Sequence, residues 1–421
     1  MGIPRVAIVV TGDEILRGRV SDRNGGSLAR WCDAHGMVMA GMTIVGDDPR
    51  DITRAVHEGI EHGADLVITT GGLGVTHDDL TMQAVADATA RGLALDPAAL
   101  ALVRAAVAST AARDRVPAHI REATDRKQAM LPVGGEMLAP VGTAPGCVLR
   151  HGDCVIVVLP GPPFEADRMW ETASRHPTIA ALIARAGGAP ALTLRMHGVI
   201  EPEIVAVLET VPAGTREGAR LGICAKAGEL ELTLADLVPG GAARLADALD
   251  GAVPGATFTR HGRYVEEIIA DALLANGARL AVAESCTGGL LGARLTALAG
   301  ASSWFRGGVI AYDNAVKRNA LGVSEEILDR DGAVSVACAA AMAEGVRTRL
   351  DATWGISITG IAGPGGGTPG KPVGTVMIGC AGPDGTAVDT HRFRGDRTLI
   401  RERSAVAALH LVRMRLDARG A

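Results

Sequence analysis

The chain has 421 residues, 48% of them hydrophobic, and a net charge of −5 at pH 7. That length allows two to four domains with real cores; the acidic balance disfavours direct nucleic-acid contact, and no apolar run reaches the length of a membrane span. The seven cysteines form no C-x-x-C pair, so neither a zinc site nor a disulfide framework is expected, and without signal-peptide anatomy the expected location is the reduced cytoplasm.

Strand-like runs at 6–10, 38–45 and 66–70 alternate with helix-like segments at 25–35 and 51–62. This βαβα rhythm predicts a doubly wound parallel sheet with helices on both faces. Ligands in such sheets bind beyond the carboxyl ends of the strands, and three polar motifs fall there. The first is Thr11-Gly12-Asp13-Glu14. The second is Thr70-Gly71-Gly72-Leu73-Gly74, with Asp78 and Asp79 behind it. The third is Pro160-Gly161, followed by Glu165. The Gly-rich backbone suits an anion. Asp13, Glu14, Asp78 and Asp79 are the candidate ligands for a hard divalent cation that bridges phosphates.

The segments GDEILRGRVSDRN, TTGGLGVTHDDLT, RKQAMLP, PVGTAPG and LPGPPFE stand in that order. They resemble the molybdopterin-binding fold, and more closely the first domain of the CinA family (competence/damage-inducible protein A). The resemblance implies a first domain over 1–175 that binds a phosphorylated ligand through Thr11, Gly12, Thr70, Gly71, Gly72, Gly74, Pro160 and Gly161. In some relatives it implies ADP-ribose hydrolysis with a divalent metal (Mg, Mn or Co) and potassium. Fold alone does not choose between pterin binding and pyrophosphate hydrolysis.

The stretch 176–260 reads as a small α+β unit, with strands at 192–199, 220–224 and 230–235 and helices at 202–208 and 242–249. A KH-like module is what the family resemblance implies. No G-x-x-G loop with basic flanks is present, so a spacer or dimerisation element is expected rather than a nucleic-acid module.

The third part, 261–421, centres on LAVAESCTGG at 280–289. An apolar strand there stops at Glu284-Ser285-Cys286-Thr287, and a helix follows at 290–298. Backbone N–H groups at a helix start are open to an oxyanion. Ser285 is therefore a candidate nucleophile, although Ser285 or Thr287 serving as a helix cap fits the same residues. Cys286 competes for the role, with His391 as a distant partner. Only Lys127, Lys226, Lys317 and Lys371 break an arginine-dominated set of 42 basic residues. A retained lysine suggests an amine that must lose its proton. Lys317 follows the strand 304–311 and lies close to Tyr312.

AVAESCTGG, FRGGVIAYDNAVK, GAVS, ISITGIAGPGGGT, KPVGTV and FRGDR are similar to the CinA C-terminal domain. The resemblance implies an α/β nicotinamide-nucleotide amidohydrolase that turns nicotinamide mononucleotide (NMN) into nicotinic acid mononucleotide and ammonia without a cofactor. Ser285 is then the nucleophile, Lys317 the base and Tyr312 its helper. Thr287, Gly288, Gly289, Gly360, Gly363, Arg394 and Arg397 hold the substrate. The expected partners are NMN and ADP-ribose, with no membrane and a second copy of the chain in a homodimer. A non-enzymatic competence or DNA-damage accessory protein and a pterin-binding protein are the alternatives.

Overall fold

Strand β1 (Arg5–Thr11) is buried at every position after Arg5, as a strand covered on both faces must be. The computed structural model describes residues 2–108, 116–187 and 192–420. They form two compact units, Met1–Ala191 and Leu192–Ala421. β1 is followed by β2 (Val38–Val45), β3 (Leu66–Thr70), the short pair β4 (Leu93–Leu95) and β5 (Met130–Pro132), then β6 (Glu136–Leu138), β7 (Gly146–His151) and β8 (Cys154–Leu159). The main sheet runs β2-β1-β3-β8-β7-β6.

Side chains alternate across this sheet. Ala7 and Val9 pack with Ile52, Val56 and Val85 on one face. Val6, Ile8 and Val10 pack with Leu28, Trp170 and Ile179 on the other. Helix Pro49–Glu61 shows how local signals start an element: Asp48 caps it through the Arg50 N–H and proline takes the first turn. Such a cap contributes about 1 kcal/mol. The four strands β2, β1, β3 and β8 are parallel as expected. β7 and β6 are antiparallel additions, because β7 returns into β8 through a tight turn at Gly152, whose φ is +59°.

The second unit holds two sheets. β9 (Leu192–His197), β10 (Ala219–Lys226), β11 (Glu229–Asp236) and β12 (Thr257–Thr259) form an antiparallel sheet in the order β10-β11-β9-β12. Leu194, Leu232 and Leu234 pack against Ile204 and Leu245 of its two longer helices. β13 (Leu280–Glu284), β14 (Phe305–Ile310), β15 (Trp354–Gly360), β16 (Thr375–Gly382) and β17 (Gly385–Arg392) form the sheet β14-β13-β15-β16-β17. β13 is parallel to both neighbours, while β16 and β17 are antiparallel. One face carries helix Val265–Ala275 and the final helix Arg397–Gly420. The other carries helix Val336–Arg349.

Two boundaries differ from the sequence reading. Helix Pro177–Ala186 seats Ile179 and Leu182 in the first unit's core, so that unit runs to Ala191 rather than 175. The unit from Leu192 continues through 260 without a break, because β9 and β11 reach the final helix. His410 there stacks on His197, with ring centroids 3.8 Å apart, and bonds Glu229 at 2.7 Å. The sequence also reads as a Gly-rich joint at 186–188, of which Gly188 lies outside the described residues. Among the described residues no helix is long and apolar enough to cross a membrane.

Candidate active site

β13 lies inside its sheet, paired on both sides, so the turn that follows it is set by two neighbours. The Ser285 N–H extends the pairing to the Ile358 carbonyl at 2.9 Å. Gly288 and Gly289 then take φ of +59° and +96°, a left-handed pair that an L side chain resists. This sharp reversal delivers the chain into helix Leu290–Thr296.

On the neighbouring strand β14, the chain leaves the sheet at Ala311 and enters helix Asn314–Leu321, capped by the Asp313 carboxylate on the Ala315 N–H. One turn in, Lys317 points back under Ser285. It is 1% exposed. Its Nζ lies 3.3 Å from Ser285 Oγ, 2.8 Å from the Ala311 carbonyl and 3.2 Å from the Tyr312 carbonyl. Burial pushes the amine below its ordinary value, while Cys338, Asp313 and Cys286 pull the other way. In the neutral amine the two carbonyls absorb both N–H groups and the lone pair is left for the serine hydroxyl.

The helix-start donors are not free. Glu284, the last residue of β13, turns its carboxylate under the turn. It accepts the N–H groups of Gly289 at 3.0 Å, Leu291 at 3.1 Å and Gly292 at 2.8 Å. The Gly288 N–H is also taken, by the Ser285 carbonyl at 3.1 Å. The helix-start donors expected to be open to an oxyanion are therefore occupied, and the Gly288 N–H with them. Among the described residues, the N–H groups of Cys286 and Thr287 are the ones in this turn without an acceptor. Thr287 Oγ1 is buried and unpartnered.

Tyr312 departs from its expected role. Its side chain is 60% exposed, and its hydroxyl accepts from Arg397 at 2.9 Å. Its backbone carbonyl, not its phenol, holds Lys317. Arg397 also donates to the Gly363 carbonyl at 2.7 Å, so Tyr312, Arg397 and the Gly-rich loop are tied together. Gly360 ends β15, packed on Val376. The Arg394 guanidinium has no partner among the described residues; its carbonyl accepts from Arg403. Arg401, absent from the predicted set, donates to the Thr287 carbonyl at 2.6 Å. Cys286 is a poor nucleophile, because burial pushes its thiol up to about 11. His391 stands on β17, three strands from β13, or about 14 Å at ordinary strand spacing.

In the first unit the three motifs meet at one cavity of about 580 Å³. It is lined by Thr11, Gly12, Thr70, Gly71, Gly72, Gly74, Pro160 and Gly161. Asn24 stitches them together. Its Nδ2 donates to Thr70 Oγ1 and to the Gly161 carbonyl, both at 2.8 Å, and Thr70 Oγ1 donates to the Pro160 carbonyl at 2.9 Å. Neither Asn24, which closes the GDEILRGRVSDRN segment, nor Asp47, which also lines the cavity, was singled out as a site residue; each is well separated along the chain from the Thr70–Gly74 motif.

The expected metal set is only partly assembled. Asp13 does not line the cavity; its carboxylate bonds Arg17 at 2.7 Å. Asp78 and Asp79 both hold the Thr76 hydroxyl. Glu14, Asp78 and Asp79 do line the cavity. Among the described residues no three His, Cys, Asp or Glu side chains converge to hold a metal ion. Burial is the main cause that pushes Asp47 above the usual carboxylate range. The like charges of Asp13, Glu14 and Asp78 add to it, and the Asp13 N–H opposes it.

Comparison with known proteins follows the same division. Residues 263–416 match the family described as the CinA C-terminal domain, and residues 7–181 match a probable molybdopterin binding domain. A "CinA-like protein" of Mycolicibacterium vanbaalenii is 42% identical, covering 99% of each chain. One of Mycobacterium avium is 41% identical over 97% of this chain and 98% of its own. A crystal structure of a competence-damaged protein (CinA) superfamily protein from Klebsiella pneumoniae is 36% identical, covering 37% of this chain and 99% of its own with a TM-score of 0.36.

Proposed function

The chain belongs to the CinA family, and from that premise we propose that its C-terminal domain hydrolyses the carboxamide of NMN to give nicotinic acid mononucleotide and ammonia. The observation that carries this reading is the buried Lys317 amine 3.3 Å from Ser285 Oγ. Unbound active sites often hold such pairs slightly long. A lysine kept neutral by burial can take a serine proton where no histidine is at hand.

In this reading the Ser285 proton passes to Lys317 as Oγ bonds to the carboxamide carbon. The oxygen that becomes negative meets the free N–H groups of Cys286 and Thr287. Collapse of this adduct breaks the C–N bond, and Lys317 returns the proton to the departing ammonia. Water then attacks the resulting ester, again through Lys317, releasing the carboxylate and restoring the serine. Arg397 and the Gly363 loop, with Arg394 as a free guanidinium, are the proposed contacts for the nucleotide phosphate, since arginine binds phosphate in a bidentate manner. No cofactor enters the scheme. Ser285→Ala and Lys317→Ala are each expected to lower ammonia release from NMN by about 10³-fold or more. Release at the wild-type rate from both variants rules the reading out.

For the first domain we propose binding of a phosphorylated ligand such as ADP-ribose. The cavity brings together Glu14, Asp22, Asp47, Asp78, Asp79 and Glu165 against the single arginine Arg23. An anion entering such a field needs a cation with it. One or two of Glu14, Asp47 and Asp78 would be enough for a divalent ion shared with ligand phosphates, because a magnesium-type ion needs only one or two protein carboxylates.

A further inference from the structure

A carboxylate taken out of water is costly unless charge-assisted hydrogen bonds replace its hydration. Glu284 is 2% exposed and forms no ion pair among the described residues. Its partners are the three backbone N–H groups of Gly289, Leu291 and Gly292.

The same residue acts on the other half of the site through its backbone. The Glu284 carbonyl accepts the Ala311 N–H at 2.7 Å, and the Ala311 carbonyl accepts Lys317 Nζ at 2.8 Å. The turn that bears Ser285 and the loop that holds Lys317 are thus both suspended from residue 284. With the carboxylate on the helix-start donors, the Cys286 and Thr287 N–H groups are, among the described residues, the ones beside Ser285 with no acceptor in another residue.

We infer that Glu284 is a positioning residue for the Ser285–Lys317 pair: its side chain fixes the nucleophile turn and the unpaired donors, and its main chain fixes the base. The inference rests on the amidohydrolase reading of the site. The Glu284 carboxylate is taken up by the N–H groups of Gly289, Leu291 and Gly292, so its proposed role is to hold the turn rather than to contact substrate. The loss of Glu284 therefore appears in the chemical step, while ground-state binding of NMN through the arginines and the Gly363 loop persists.

Steady-state kinetics on NMN with wild type, Glu284→Gln, Glu284→Ala and Ser285→Ala test this, each protein melted beforehand to show that it is folded at the assay temperature. Glu284→Ala is expected to lower kcat by about 10²-fold with KM changed less than about threefold, the size of effect seen when a transition-state donor is misplaced. Glu284→Gln keeps one acceptor oxygen and falls between the two. Folded Glu284→Ala with wild-type kcat, or a loss confined to KM, overturns the inference. If Glu284→Ala does not fold, the isosteric Glu284→Gln carries the test, and wild-type kcat in that variant overturns it. A wild type inactive on NMN, or an active Ser285→Ala, overturns the amidohydrolase reading and the positioning role with it. Activity lost in Ser285→Ala but kept in folded Glu284→Ala sinks the positioning role alone.

Discussion

Lys317 occupies a place where an ammonium is costly. Desolvation holds its amine below the ordinary lysine value, and only the uncharged form can accept the Ser285 proton. The sign for activity follows. In the proposed mechanism Lys317 is charged and idle below the lowered value, so kcat is expected to rise with pH through that value and to level off above it. A pH profile of kcat on NMN is expected to show this single rising limb at a pH well under that of a free lysine. A profile flat down to the range of ordinary carboxylates contradicts Lys317 as the base. Glu284 belongs to this scale as well. In the sequence it reads as part of a polar turn, whereas it is the final residue of a buried strand. An acidic residue closing an otherwise apolar run was a visible signal, but its partners lie five to eight residues on.

At the scale of elements, the two sheets of the second unit meet the final helix at a histidine pair. His410 is fully buried. Arg413 Nε donates to its Nδ1 at 3.2 Å, so Nδ1 is an acceptor and the ring is the neutral tautomer that donates from Nε2 to Glu229. Burial, aided by Arg413 and Arg294, pushes His410 down to about 3. Burial and the neighbouring His410 push His197 down to about 4, against the opposing pull of Glu229. Both groups hold a proton more readily in the unfolded chain, where the ordinary value is near 6.5. Their stabilisation is therefore complete above pH ~6.5 and is lost as pH falls towards the folded values. Glu229, pushed up by burial, acts in the opposite sense, one group against two. Urea midpoints are expected to fall between pH 7 and pH 5, and to fall less steeply in His410→Gln; equal slopes speak against the pair. The helix and strand reading survived well in this unit because periodicity is a local property. The contacts that bring residues near 197 and 229 to residue 410 were not legible, because they are not local.

On the scale of the whole molecule, the chain carries two chemically different sites at the ends of parallel strands. One is built around a buried lysine amine beside a serine hydroxyl; the other is a cavity lined with carboxylates. The acid-lined cavity is expected to bind ADP-ribose only with a divalent ion present. Thermal melting with ADP-ribose should show a rise with magnesium, manganese or cobalt and none with a chelator, and Asp47→Asn should shrink that rise. Equal shifts with and without the metal remove the cation from the proposal. The division of the chain into three parts, the homodimer and the cytoplasmic location stand as proposals beside it.

Motif order, the alternation of strands and helices, and the nomination of Ser285 and Lys317 as candidates were readable in the sequence, because they follow from residue type, spacing and family resemblance; that the two side chains lie 3.3 Å apart is a property of the fold. The competition for partners was not readable there. Whether a helix-start N–H is free or held by Glu284, whether Tyr312 offers its phenol or its carbonyl, and whether Asp13 turns to a metal or to Arg17 depend on which groups arrive first within about 3 Å. A hydrogen bond saturates its donor and has a short reach, so such contests are settled only when distant segments of the chain are brought together.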